Sequence, residues 1–284
     1  MTAPRQSHVL VGRDSGVYRM HYREWGDPAN PRVLVCAHGL TRNGRDFERL
    51  AEALAGDFRV VAPDVVGRGE SDWLRDPLGY QLPLYVQDML VLIARLDVPR
   101  VAWLGTSMGG LIGMLLAALP GTPVERLVLN DVGPLLSAAA LARIGEYVGK
   151  APPLPTRAAA EAYIRAVSAP FGPHDDAQWA FLTEVMLKPD GAGGWRLNYD
   201  PGIAVPFRQG VDGKDVDLWP FYDRIACPVL LTRGAQSDLL GAETACAMSE
   251  RGPRARWVDF DGVGHAPTFL QPDQIAVAAE FLRA

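Results

Sequence analysis

Cysteine is scarce in this chain of 284 residues: Cys36, Cys227 and Cys246 are all it has. An odd number, with no CxxC pair, argues against a disulfide framework and against a thiolate zinc site. Cys36 lies inside an apolar run, which predicts a buried, inert thiol. No apolar run reaches the roughly 18 residues that a membrane-crossing helix needs, so no membrane association is expected. Residues 1–8 lack the apolar stretch of a secretory leader, and the cytoplasm is the expected compartment. A large excess of one charge sign is missing too. The 28 basic and 33 acidic residues leave a net charge of −5 and are dispersed, so neither a nucleic-acid stripe nor a disordered acidic tail is present. Neither GxGxxG nor GxxxxGK[ST] occurs, which removes the usual phosphate cradles.

What the chain does have is core-forming residues, 48% of the total and enough for one large core. Short runs rich in Val and Leu read as strands at 8–11, 17–25, 32–37, 58–62, 100–104, 126–130, 228–232 and 255–260. Helical stretches at 46–55, 84–96, 108–119 and 274–283 separate several of them. Near-continuous apolar strands imply burial on both faces, the mark of a parallel sheet flanked by helices with right-handed crossovers. The rhythm breaks between Asn130 and Pro228, where helices are expected at 137–148, 157–169 and 175–187, with loops at 149–155 and 188–194. Trp179, Leu182 and Met186 give the last of these one apolar face. The expected organisation is α/β: a core of residues 1–133 and 223–284, with a helical cap of residues 134–222 inserted.

The strand at 100–104 runs into Gly105-Thr-Ser-Met-Gly109 and then into an apolar helix. This is GxSxG in strand–turn–helix context, a tight turn that lifts Ser107 above a sheet and aims a helix N-terminus at a developing oxyanion. A serine hydroxyl needs a base that works near neutral pH, which selects histidine. Of five histidines, His8 and His21 fall in the N-terminal strands, and His174 sits in a Pro-His-Asp-Asp segment that reads as a helix cap. His265 lies in Asp261-Gly-Val-Gly-His-Ala-Pro267, a loop between the last strand and the last helix, where such sheets place their chemistry. Two aspartates compete to orient its ring. Asp238, after the strand at 228–232, is preferred; Asp131, after the strand at 126–130, is the alternative. The strand at 32–37 ends in His38-Gly39-Leu40, so backbone N–H groups of Leu40 and Met108 are the expected oxyanion donors and His38 a structural residue of that loop. The glycine loop 64–71 reads as a turn scaffold.

Together these residues resemble the α/β-hydrolase superfamily over nearly the whole chain. His38-Gly39 matches its oxyanion loop, residues 64–71 its DxxGxGxS loop and residues 105–109 its nucleophile elbow, while Asp238 and His265 match its acid and base positions. Serine at the elbow separates the chain from dehalogenases and epoxide hydrolases. Ala266-Pro267 after the histidine looks more like bacterial serine carboxylesterases than carbon–carbon hydrolases of ring-cleavage products, which carry tryptophan there. The resemblance implies a serine esterase acting through an acyl-enzyme on Ser107, with no metal and no organic cofactor. Carbon–carbon hydrolase, lactonase and thioesterase chemistry are alternatives on the same residues, and a non-catalytic ligand-binding protein is a remote one. Tyr147, Phe171, Trp179, Phe181, Met186, Trp195 and Phe207 are candidate pocket walls. Their apolar character predicts small to medium uncharged esters as substrates. Oligomeric state is not readable from the sequence.

Overall fold

A computed structural model describes residues 3–14, 16–210 and 213–284. The chain opens with two long strands, β1 (Arg5–Arg13) and β2 (Gly16–Trp25). An alternation follows: β3 (Val33–Ala37), α1 (Glu48–Leu54), β4 (Arg59–Pro63), α2 (Leu82–Leu96), β5 (Val101–Thr106), α3 (Met108–Ala117) and β6 (Val124–Asn130). Beyond β6 come β7 (Leu135–Leu136), α4 (Ala138–Tyr147), α5 (Arg157–Val167), α6 (Asp176–Met186), β8 (Leu187–Pro189) and β9 (Trp195–Leu197). Then follow α7 (Ala204–Gly210), β10 (Val216–Asp217) and α8 (Trp219–Tyr222). The alternation resumes with β11 (Val229–Gly234), α9 (Ala242–Glu250), β12 (Arg256–Phe260) and α10 (Pro272–Arg283).

Eight strands form one sheet in the order β1-β2-β4-β3-β5-β6-β11-β12. β1 and β2 pair antiparallel with each other, and β2 antiparallel with β4, while every pairing from β4 to β12 is parallel. The period of two along a strand sends neighbouring side chains to opposite faces. In β3, Val33, Val35 and Ala37 enter one buried cluster with Trp103, Leu127 and Leu231; Leu34 and Cys36 enter the other with Leu104, Val128 and Leu230. Both faces are covered, which is why the central stretches of these strands are apolar on both sides. Cys36 is fully buried, and burial pushes its thiol far above the ordinary range, the inert cysteine expected.

Two features depart from the sequence reading. The crossover from β11 to β12 carries a helix, α9, that the pattern does not announce: only Ala245 and Met248 of it are buried, too few for an apolar stripe. The stretch between β6 and β11 is not purely helical. It contains the two-stranded ladders β7–β10 and β8–β9; of the loop expected at 188–194, Lys188 and Pro189 belong to β8, and residues 190–194 form the loop that joins it to β9. This stretch is fastened over the loops that follow β3 and β4. Asn43 Nδ2 donates to Val185 O at 2.8 Å, Lys188 Nζ to Gly69 O at 2.6 Å, and Arg45 pairs with Glu184 at 2.9 Å. Among the described residues no helix is long and apolar enough to cross a membrane.

Candidate active site

Ser107 stands between β5 and α3 with φ 53° and ψ −116°, a strained backbone for a residue with a Cβ. Its surroundings leave no alternative. A Cβ on Gly105 would come within 2.2 Å of the Gly109 backbone, and one on Gly109 within 2.0 Å of Ala37 O, so the chain packs here at glycine-only distances. Trp103 Nε1 donates to Gly109 O at 3.0 Å and Ser107 N to Asn130 O at 2.9 Å, locking the turn from both sides.

His265 Nε2 lies 3.0 Å from Ser107 Oγ, and His265 Nδ1 lies 2.7 Å from Asp131 Oδ2. The preferred aspartate of the sequence reading is therefore corrected: Asp131, the alternative, sits beside the histidine, and Asp238 does not. β6 lies between β5 and β11, so a side chain at its carboxyl end is flanked by the strand that leads into Ser107 and by the strand beside β12. Asp131 is fully buried there, with φ 55°; its N–H donates to Thr232 O at 2.7 Å, and Gly234 N donates to its Oδ1 at 2.9 Å. The loop after β11 reaches this carboxylate with Ser237, whose Oγ donates to Oδ2 at 2.6 Å. Asp238 is turned away and forms an ion pair with Arg143 of α4 at 2.8 Å, its side chain 51% exposed.

Asn130 escaped the sequence reading. Its Nδ2 donates to Thr106 Oγ1 at 3.0 Å and to Pro267 O at 2.8 Å, while its Oδ1 accepts from Thr232 Oγ1 at 2.9 Å. One buried amide thus ties the Ser107 turn, the His265 loop and β11 together. A polar residue ending an otherwise apolar strand, just before an aspartate, was the available signal.

The loop after β3 is set by His38. The ring is fully buried, its Nδ1 donates to Gly39 O at 2.7 Å, and its Nε2 accepts from Val65 N at 2.9 Å, so the neutral tautomer is fixed by its partners. Burial lowers its pKa from 6.5 to about 4. Arg42 N also donates to Gly39 O, at 3.1 Å. Anchoring that carbonyl orients the Leu40 N–H, because a trans peptide points the two groups in opposite directions. Ser107 is close: a Cβ on Gly39 would lie 3.8 Å from Ser107 Cβ. Met108 opens α3, so its N–H is one of the first-turn donors that no helix carbonyl can satisfy. The 64–71 loop is the scaffold expected. Asp64 accepts from Gly44 N at 2.7 Å and Glu70 N at 2.9 Å and meets His21 and Arg23. Burial alone would raise its carboxyl, but these partners hold it well below the carboxylate range.

A cavity of about 800 Å³ opens above Ser107 and His265. Tyr147, Phe171, Met186 and Phe207 line it as expected, whereas Trp179, Phe181 and Trp195 do not. Trp179 packs on His174, and Trp195 faces Arg157. His174 itself bonds Gly172 O and Thr268 Oγ1, while its neighbour Asp175 caps α6. The charged side chains on the wall come in two pairs, Arg42 with Asp46 and Arg143 with Asp238. Among the described residues no three His, Cys, Asp or Glu side chains converge as a metal-holding set.

Residues 32–272 match the family model of the alpha/beta hydrolase fold. The chain belongs to the alpha/beta hydrolase family. The hydrolase is 53% identical to the 3-hydroxybutyrate-oligomer hydrolase of Cupriavidus necator, over 98% of each chain. It is 29% identical to Lipase LipV of Mycobacterium tuberculosis, over 90% of this chain and 95% of that one. Among solved structures, an alpha/beta hydrolase from Novosphingobium aromaticivorans superposes on it with a TM-score of 0.89 at 39% identity, covering 100% of this chain and 99% of the other.

Proposed function

We propose that this hydrolase cleaves short 3-hydroxyacyl oligoesters, of the 3-hydroxybutyrate type, through an acyl-enzyme on Ser107. The observation that carries the chemistry is the hydrogen-bonded line from Ser107 through His265 to Asp131, at 3.0 and 2.7 Å. These distances suit proton transfer without side-chain rearrangement. His265 takes the Ser107 proton as Oγ attacks the ester carbonyl, and Asp131 holds the ring in the tautomer with Nδ1–H and steadies its charged form. The Leu40 and Met108 amides receive the oxyanion. His265 then passes the proton to the departing alcohol, and water repeats the sequence to release the acid.

The substrate class rests on the likeness to the Cupriavidus necator protein, which runs end to end. The size and apolar lining of the cavity agree with a chain of a few small branched hydroxyacyl units. The stretch between β6 and β11, which supplies much of that lining, acts as the cap over the site. This reading departs from the earlier preference for uncharged esters, because a free hydroxyacyl oligomer ends in a carboxylate.

The test is to follow the wild type and Ser107→Ala on the linear 3-hydroxybutyrate dimer and trimer and on p-nitrophenyl butyrate. Turnover of all three by the wild type, falling by about 10⁶ in the variant, is the expected result. A wild type that cleaves p-nitrophenyl butyrate but neither oligomer would remove the substrate class. Full activity in Ser107→Ala would remove the mechanism.

A further inference from the structure

The ion pair between Arg143 and Asp238 is out of place in a cavity otherwise walled mainly by apolar side chains. Arg143 projects from α4 beside Tyr147, one turn further along the same face. Its Nη2 stands 2.8 Å from Asp238 Oδ1 without the alignment of a hydrogen bond, and the guanidinium makes no hydrogen bond among the described residues. Nη2 itself is buried, but the two side chains remain 40% and 51% exposed as a whole, so water reaches the rest of the guanidinium and the carboxylate and the pair holds weakly. A planar guanidinium whose fork is not taken up is suited to a second carboxylate, bound edge-on.

Its place relative to the chemistry is informative. Asp238 follows Ser237, which donates to the Asp131 oxygen facing His265. The cation therefore stands toward the histidine and acid side of Ser107. That is also the side of the departing alcohol, since His265 must hand its proton to that oxygen. In a linear hydroxyacyl oligomer the departing unit carries the free carboxylate. The other arginine on the wall, Arg42, is less suited: Asp46 occupies its Nε and Nη2 in hydrogen bonds of 2.7 and 2.6 Å.

We propose that Arg143 binds the terminal carboxylate of the oligoester, and that Asp238 is an internal competitor that occupies the guanidinium until substrate arrives. This rests on the oligoester reading above. It makes the enzyme a chain-end reader, selecting free hydroxyacid oligomers over the same chains capped as alkyl esters.

The experiment compares kcat/KM for the 3-hydroxybutyrate dimer as free acid and as methyl ester, in the wild type, Arg143→Gln, Arg143→Lys and Asp238→Asn. The ratio of the two substrates on one preparation cancels differences in folded fraction. The wild type favours the free acid. Arg143→Gln lowers the ratio by about 10- to 100-fold, mainly through KM. Arg143→Lys recovers only part of it, since a point charge replaces the fork. Asp238→Asn raises it. A pair that merely clamps α4 to the core would shift both substrates together, and both charge-removing variants in one direction; that outcome overturns the assignment, as does a wild-type ratio near one. In either case the oligoester reading survives, because the dimer is still cleaved. A wild type inert on both dimer forms but active on p-nitrophenyl butyrate overturns both.

Discussion

Ser237 donates a 2.6 Å hydrogen bond to Asp131 Oδ2, the same oxygen that meets His265 Nδ1 at 2.7 Å. With Gly234 N on Oδ1, the carboxylate is held by two donors besides the histidine, and it cannot rotate without breaking one of them. The loop after β11 therefore steadies a carboxylate that follows β6.

From this follows a separation of the two aspartates. Asp131→Asn leaves an amide where the imidazole N–H needs an acceptor and favours the wrong tautomer, a change that lowers kcat by about 10⁴ in comparable serine enzymes. Asp238→Asn keeps that line intact. Steady-state kinetics on p-nitrophenyl butyrate should place the two variants at least about 10³ apart in kcat. Equal losses would return the choice of acid to Asp238.

Asn130 joins three loops, so its removal should be felt in both stability and rate. Asn130→Ala leaves buried acceptors at Pro267 O and Thr106 Oγ1 without their donor. Thermal and urea unfolding should show a loss of about 1–3 kcal/mol, with a fall in kcat larger than any rise in KM. A stable variant with unchanged kcat would show that the loops are placed by other contacts.

His38 gives the fold a pH signature. Its pKa is lowered from 6.5 to about 4 in the folded protein, so between those values the unfolded chain binds the proton and the folded one does not. Its contribution is present above pH 6.5 and is lost as the pH falls toward 4, reaching roughly 3 kcal/mol if the full shift is realised. Asp64, held low, begins to contribute to acid unfolding only in and below the carboxylate range. Urea titrations from pH 7 to 4.5 should therefore show falling stability in the wild type and a flatter profile in His38→Gln. Parallel profiles would assign the slope to other groups.

The three thiols should separate by access. Cys246 is exposed, Cys227 half-buried and Cys36 fully buried. A disulfide reagent should label Cys246 quickly, Cys227 slowly and Cys36 only after unfolding. Rapid labelling of Cys36 in the native protein would contradict the packing of β3.

Much of this was legible in the chain because it rests on local chemistry. The parallel strands announce themselves as apolar runs, and Ser107 and His265 lie in glycine-marked loops just past strand ends. The acid did not, since Asp131 and Asp238 both follow a strand. Which one meets the ring depends on strand order and on whether the side chain turns inward, and both are long-range facts. α9 was hidden by its few buried positions, and the β8–β9 hairpin by strands of three residues each. β1 extends on both sides of its apolar stretch because ladder hydrogen bonds to β2 do not depend on side chains.

Placing the histidine's carboxylate partner after β6 has a wider consequence. Ser107 and Asp131 follow adjacent strands, both ahead of the stretch that supplies much of the cavity lining, and only His265 returns from beyond it. On the proposed mechanism the loop after β11 supplies no catalytic acid, so it should tolerate change at Asp238 so long as Ser237 is kept. Grafting that loop's outer residues, or the facing turn of α4, between relatives should then exchange substrate ranges while leaving the reacting atoms untouched.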